Sequence, residues 1–258
     1  MEYLVFDIGN SDVVIAGNKN DKWESLLRIP SDRCIKVDFF ISEIRKLKNN
    51  FSDSGTDLKA IIISSVVPKL TQILPVEIEK IFGIKPFLIT SANYGAIEMK
   101  IDNPHEIGSD LVANAVAAHD RFRDNVVVVD FGTALTFTVI DKAGKILGVA
   151  IAPGVLTAMK SLVGNTALLP EIPLELPDSV IGKNTVHAMQ AGIMYGYAGL
   201  VEGILKRIRN EIGKCKIIST GGLSQVMTPL HHLFDTIEPH LTLEGMKLIY
   251  ISAKNSRK

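Results

Sequence analysis

The sequence predicts an α/β protein built from two related halves, and two observations carry that expectation. Apolar strand candidates alternate with amphipathic helix candidates along the chain, which is the pattern of layered α/β architecture. A short motif also occurs twice: an apolar run ends in Asp-x-Gly-Asn/Thr and is followed by a returning strand. The two aspartates, Asp7 and Asp130, stand 123 residues apart (130 minus 7), close to half the chain. Such spacing points to an internal duplication. Length agrees, since 258 residues at about 150 per domain give roughly 1.7 domains.

In chain order, Leu4-Val5-Phe6 forms a short strand running into Asp7-Ile8-Gly9-Asn10-Ser11, with a hairpin partner at 13–16. Residues 59–66 read as a buried strand, 70–82 as an amphipathic helix, 85–89 as a strand and 111–121 as a helix rich in Ala and Val. The second half opens with Val126–Val129 running into Asp130-Phe131-Gly132-Thr133-Ala134, followed by returning strands at 136–140 and 146–151. Pro153-Gly154 breaks the last of these before a helix through Leu162. Pro170, Pro173 and Pro177 mark a loop over 164–180 that is free to move or to wrap. A long helix covers 185–212, and a strand at 216–219 ends at Gly221-Gly222, ahead of a further helix. The domain boundary falls near 118–125, giving domains 1–118 and 119–258.

Composition narrows the function. The 47% hydrophobic content and mean hydropathy of +0.23 suit a folded core and argue against disorder. Lys+Arg and Asp+Glu both number 28, so nothing supplies the long-range attraction expected of a protein that binds nucleic acid or an anionic membrane. No apolar run approaches a membrane span, and the N-terminus lacks a signal-peptide layout. Cys34 and Cys215 make no metal or redox pattern and read as free thiols, so a cytoplasmic location is expected.

Gly192, Gly196, Gly199 and Gly203 fall at helical offsets 0, 4, 7 and 11, on one face of the long helix. Interior glycine costs about 1 kcal/mol each, so close approach of another backbone is expected, from the other lobe or from a second subunit.

Several residues bear on chemistry. An aspartate at the end of a buried strand is held rigidly and can position Mg²⁺ through its water shell, while the following glycine lets backbone approach a polyphosphate. Asn10, Ser11 and Thr133 then offer donors to phosphate oxygens. One such turn alone is an ordinary hairpin; two at half-chain spacing favour a shared phosphate site between two lobes. Gly108-Ser109-Asp110 precedes the helix from Leu111, where Ser109 or Asp110 can cap it, or Asp110 can accept a substrate hydroxyl proton. Ile181-Gly182-Lys183-Asn184-Thr185 fails as a P-loop, because Pro177 stands where the first glycine belongs and Asn184 follows the lysine. No Gly-x-Gly occurs, which excludes the dinucleotide fingerprint. Gly221-Gly222 is either a plain turn or a place where an adenine ring lies against backbone.

Taken together these segments resemble the bacterial type III pantothenate kinases, over essentially the whole chain. The resemblance rests on Asp7-Ile8-Gly9-Asn10-Ser11, Ser65-Val66-Val67-Pro68, Asp102-Asn103-Pro104 with Gly108-Ser109-Asp110, and Val129 through Ala134. It extends through Ile151-Ala152-Pro153-Gly154, Ile181 through Thr185, Met189-Gln190-Ala191-Gly192, Ser219 through Gly222 and Leu241-Thr242-Leu243-Glu244-Gly245. It implies two duplicated ribonuclease-H-like (actin-like ATPase) domains around a central cleft. It also implies ATP-dependent phosphorylation of pantothenate to 4′-phosphopantothenate, the first step of coenzyme A synthesis, by a homodimer. By position, Asp7, Ile8, Gly9, Asn10, Ser11, Asp12, Val13 and Val14 would hold the ATP phosphates with Mg²⁺, and Thr133 would contact ATP. Asp110 would be the catalytic base, Asp130 would bind a monovalent cation (K⁺ or NH₄⁺), and Gly108, Ser109, Leu111 and Thr185 would line the pantothenate site.

Departures from the family pattern lie on the acceptor side. The usual Gly-Ala-Asp-Arg reads Gly108-Ser109-Asp110-Leu111, and Ile101 replaces a tyrosine before Asp102-Asn103-Pro104. Loss of the arginine's charge-assisted contact corresponds to about 1.5–3 kcal/mol of binding. Asp12 adds negative charge near a triphosphate. Two other readings follow: a catalytically impaired, nucleotide-binding accessory or regulatory protein, or a kinase of another small hydroxyl compound.

Overall fold

Each apolar run that ends in the repeated aspartate becomes the central strand of its own five-stranded sheet. A computed structural model describes residues 2–52, 58–94 and 97–256, and the chain separates into two compact units. The first comprises Met1–Ile97, Asp102–Ala117 and His240–Lys258, and the second Glu98–Ile101 and Ala118–Pro239.

In the first unit, β1 (Tyr3–Ile8) pairs antiparallel with β2 (Asp12–Lys19), which pairs with β3 (Lys22–Pro30). The short α1 (Ser31–Cys34) and α2 (Val37–Ser52) follow. β4 (Ala60–Ser65) then adds parallel to β1, and after α3 (Pro68–Phe82) the two-residue β5 (Phe87–Leu88) adds parallel to β4. α4 (Ser109–Phe122) comes next. Period-two alternation sends Leu4, Phe6 and Ile8 to one face, where they pack with Phe40, Ile44 and Leu74 of α2 and α3.

The second unit repeats the order. β6 (Val126–Phe131), β7 (Ala134–Ile140) and β8 (Ile146–Pro153) form the antiparallel portion. α5 (Val155–Gly164) and the long α6 (Thr185–Ile212) follow, then β9 (Lys216–Thr220) parallel to β6, a 3₁₀ helix (Thr228–Leu233) and β10 (Thr236–Ile237) parallel to β9. Val127, Val129 and Phe131 pack against Met194, Tyr197 and Val201 of α6. The sheet orders β3-β2-β1-β4-β5 and β8-β7-β6-β9-β10 are the same topology, so the duplication expected from two aspartates holds for ten strands.

α7 (Leu241–Asn255) departs from a single boundary at 118, because it clusters with the first unit although it ends the chain. Its Tyr250 ring meets Tyr3 and Phe87 edge-on, with centroids 6.1 and 5.4 Å away. Residues 98–101 join the second unit, where Met99 bridges to Ile146 and the Lys100 N–H donates to the Ile146 carbonyl at 2.7 Å. β3, α2 and α7 are elements the sequence pattern did not reveal. The segment after Gly221-Gly222 makes turns and the 3₁₀ helix, not an α-helix. The proline-marked loop wraps along α6: Gln190 donates to the Pro173 carbonyl at 3.1 Å and Tyr195 to that of Pro177 at 2.9 Å. Cys34 and Cys215 are buried free thiols, and burial raises the Cys34 thiol to about 11, with Asp32 and Asp12 adding to it.

Candidate active site

Both repeated turns are closed by a bond from their glycine, the first turn being one residue longer. Gly9 N–H donates to the Asp12 carbonyl at 2.9 Å, and Gly132 N–H donates to that of Ala134 at 3.1 Å. Asp7 stands opposite Val14 and Ser64, and Asp130 opposite Thr136 and Thr220. Each aspartate therefore sits between a hairpin strand and a parallel strand, where its backbone has no freedom. The chain beyond the third strand braces each turn. Ser31 gives its N–H to the Ser11 carbonyl (2.8 Å) and its hydroxyl to that of Gly9 (2.6 Å). In the second unit, Gly154 N–H (3.0 Å) and the Thr157 hydroxyl (2.7 Å) both donate to the Thr133 carbonyl.

Among the residues expected at the phosphates, Asn10 and Ser11 are exposed at the first turn's tip. Ile8 and Val13 are not side-chain ligands: both are fully buried in the first core, so only their backbone can reach a nucleotide. Asp12 pairs with Arg28 at 3.0 Å, which offsets the added negative charge, although both groups are solvated and the pair is weak. Val14 is half-buried opposite Asp7.

Gly221, with φ of +88°, lies against the second aspartate. A Cβ there would overlap the Asp130 carboxylate and come within 2.7 Å of Phe131 backbone atoms. Glycine is thus required both by conformation and by space. Gly154 is equally confined by the backbone of Gly132 and Thr133, and Tyr197 donates to the Pro153 carbonyl at 2.8 Å.

Asp110 occupies the first turn of α4. Ser109, in the family's alanine position, is buried, and its hydroxyl lies 2.8 Å from that of Ser64 at the end of β4. That bond ties the helix start to the sheet. Burial pushes the Asp110 carboxyl above its ordinary value, against the Leu111 N–H (2.8 Å) and its own N–H, which pull it down. The Tyr94 phenol is raised by burial and then by the negative charge of Asp110. Tyr94 donates to the Ile107 carbonyl at 3.4 Å and brings a hydroxyl to the vicinity of Asp110 that no sequence motif marks. Leu111 is half-buried beside them.

Thr185 lies elsewhere in the second unit, at the start of α6, where Asn184 caps the helix by accepting from His187 N–H at 2.9 Å. Thr185 lines a cavity of about 670 Å³ with Lys183, Asn184, Leu162, Met189 and Gly192. That size suits a small-molecule ligand. Among the described residues, nothing lies within 4 Å of a Cβ position at Gly192, Gly196 or Gly199.

Two five-stranded sheets of one topology, each centred on a strand that ends in Asp-x-Gly, define a duplicated ribonuclease-H-like, actin-like ATPase fold. Solved structures show the same fold. A protein from Campylobacter jejuni described as a conserved putative Baf family transcriptional activator superposes with a TM-score of 0.60 at 22% identity, over 98% of this chain and 99% of that one. A putative sugar kinase from Cytophaga hutchinsonii gives 0.50 at 12% identity, over 97% and 100%. Sequence relatives go further. A type III pantothenate kinase from Geobacillus kaustophilus is 39% identical over 99% of this chain and 98% of the relative, and one from Moorella thermoacetica is 38% identical over 96% and 98%. The family model for type III pantothenate kinase matches residues 3–207. The chain belongs to the type III pantothenate kinase family, and so to the kinases.

Proposed function

We propose that this chain transfers the γ-phosphoryl group of ATP to the primary hydroxyl of pantothenate, giving 4′-phosphopantothenate, with Asp110 as the base. The supporting observation is the carboxyl at the α4 start, fixed through Ser109 and Ser64, poorly solvated, and close to a phenol. A raised carboxyl is a better proton acceptor than an ordinary one. Tyr94 brings a phenol to the vicinity of Asp110, whose charge it feels. In a loose phosphoryl-transfer transition state, positioning contributes more than base strength.

The Asp7 turn, through Gly9 to Ser11 and the backbone of Ile8 and Val13, is assigned to the ATP phosphates, and Thr133 to a further nucleotide contact. No group of three or more His, Cys, Asp or Glu side chains suited to a metal occurs among the described residues. That fits Mg²⁺, which takes one or two carboxylates and otherwise phosphate and water; when bound it would neutralise developing charge on the phosphates. Asp130, at the end of β6, is assigned to the monovalent cation, K⁺ or NH₄⁺.

Thr185 and Lys183, which line one cavity of the second unit, are assigned to pantothenate. A homodimer is supported by the open glycine face of α6 and by exposed apolar side chains in the same unit, Ile151 (69%), Leu168 (90%) and Ile181 (73%). No helix among the described residues is long and apolar enough to cross a membrane.

ATP turnover measured with and without pantothenate, in K⁺ and in Na⁺, tests the proposal. Turnover that requires pantothenate and K⁺ supports it; pantothenate-independent turnover, or none in K⁺, overturns it. Leu111 favours one second reading, a kinase of a different small hydroxyl compound, and an acceptor screen in the same assay separates the two. Nucleotide binding with no transfer to any acceptor would leave the accessory role.

A further inference from the structure

The segment Leu241-Thr242-Leu243-Glu244-Gly245 is one that the phosphate, cation and acceptor assignments leave without a task. It forms the first turn and a half of α7 and meets the second turn of α4 at two points. The Thr242 hydroxyl donates to the Asn114 side-chain oxygen at 2.8 Å, and Asn114 is fully buried. Gly245 lies so close that a Cβ there would overlap the Ala113 carbonyl group, with Ala113 Cα only 2.8 Å away. Asn114 and Ala113 stand one turn beyond Asp110 on the same helix.

The remaining contacts of α7 prevent it from yielding. Thr242 and Gly245 project from one side, whereas Glu244 and Lys247 project from roughly the opposite side. Lys247, 6% exposed, pairs with Glu244 at 2.7 Å and Asp21 at 3.1 Å. Trp23 donates to Glu244 at 2.9 Å. These bonds fix the rotation of α7 about its axis. Tyr250, further along, is held between Tyr3 and Phe87.

We infer that Thr242 and Gly245 are positioning residues for Asp110: α7 is the backstop that sets where the α4 start, and its carboxylate, lie. The inference rests on Asp110 being the base. Ser109–Ser64 holds the front of α4 to the sheet, and the α7 contacts hold it from behind. A side chain at 245 forces the helices apart by about an ångström or more before ordinary van der Waals separation returns. Misplacement on that scale costs about 100-fold in rate while leaving binding largely intact.

The test measures kcat and KM, with ATP and pantothenate in K⁺, for Gly245→Ala, Thr242→Val, Thr242→Ser and the control Tyr250→Leu, together with each variant's urea midpoint. Tyr250→Leu loosens the same helix at a point remote from α4. The expected results are a kcat loss of about 100-fold in Gly245→Ala and of about two- to tenfold in Thr242→Val. KM for ATP should hold, Thr242→Ser should recover, and Tyr250→Leu should keep kcat despite a lowered midpoint. The acid limb of the kcat profile should also move in Gly245→Ala, because the burial of Asp110 changes.

Kcat that falls in step with the urea midpoint across all variants, Tyr250→Leu included, overturns the inference. If Gly245→Ala fails to fold, Thr242→Val against Thr242→Ser decides alone, and equal kcat in that pair overturns it. Asp110→Asn, run alongside, separates the two levels. If it keeps kcat, the assignment of Asp110 falls and the inference with it. If it loses kcat while Gly245→Ala and Thr242→Val match wild type, only the inference falls.

Discussion

Replacing Asp110 by Asn should lower activity and raise stability, a combination that few single changes produce. Asparagine keeps the shape and the side-chain oxygen that accepts from Leu111 N–H at 2.8 Å, so the α4 start is preserved. It cannot accept the substrate proton. General base catalysis contributes about 10² to 10⁴ in rate, and a loose transition state asks little of the base, so kcat should fall by about 10² to 10³. That corresponds to about 2.7–4 kcal/mol in the barrier. Stability should move the other way. Burial raises the carboxyl, so the folded state holds its proton more tightly than the unfolded chain does. Folding is then disfavoured above the raised value and regains stability as pH falls toward the ordinary aspartate range. The neutral amide escapes this penalty, so the variant should melt above wild type at pH 8, with the difference vanishing near pH 4. Thermal melts at both pH values and steady-state kinetics at saturating substrates are the measurements. A variant that keeps more than about a tenth of wild-type kcat refutes the base assignment. One that melts below wild type at pH 8 refutes the burial argument.

Three further outcomes follow from the same geometry. Leu111→Arg should lower KM for pantothenate by about 10- to 150-fold, and its charge beside Asp110 should move the acid limb of kcat to lower pH; an unchanged KM would show that another cation already serves the carboxylate. Gly221→Ala places a Cβ against Asp130 at a φ of +88° and should cost about 2–6 kcal/mol from strain and overpacking together. The K⁺ concentration for half-activation should rise with it, and a shift in melting without any change in K⁺ dependence would remove Asp130 from the cation site. Thr138→Val should stabilise by about 1–3 kcal/mol, because the Thr138 hydroxyl is buried without a hydrogen-bond partner; a lower melting temperature would point to a water partner for that hydroxyl.

Much of the fold was legible because glycine and aspartate at a strand end carry strong local information. The Asp7 and Asp130 turns follow buried apolar runs, Leu4-Val5-Phe6 and Val126–Val129, which mark both strands in the sequence. β3 escaped notice because Lys22–Pro30 is an edge strand whose outward residues are charged, so its alternation is blurred. α7 was hidden by Gly245, which reads as a helix breaker until the nearby Ala113 carbonyl explains it. Tyr94 had no signal at all. It lies 16 positions before Asp110 (110 minus 94), in an aperiodic stretch, and only the folded chain brings its phenol near the carboxyl. The glycines of α6 were expected to meet another backbone, and among the described residues nothing lies within 4 Å of a Cβ position at Gly192, Gly196 or Gly199.

The duplication also shows how the two halves differ around the residue proposed as the base. In each half a helix follows the fifth strand: α4 after β5 and α7 after β10. The two are topological equivalents, yet α7 leaves the strands that precede it and docks in the first unit, where it touches α4 through Thr242 and Gly245. At the start of α4 the chain carries Ser109 and Asp110, anchored to β4; the corresponding start of α7 carries Leu241 and Thr242. On the proposed assignment, one copy bears the carboxylate and the other packs against the helix that carries it. The repeated turns divided in the same way, with Ser31 bracing the first and Gly154 with Thr157 bracing the second. Different side chains do the same bracing, which is why the halves align in topology and hydrogen bonding while little more than Asp-x-Gly remains common in sequence. If that division is right, substitutions at Thr242 and Gly245 should behave as substitutions of the Asp110 site, although they lie more than 130 residues away in the chain.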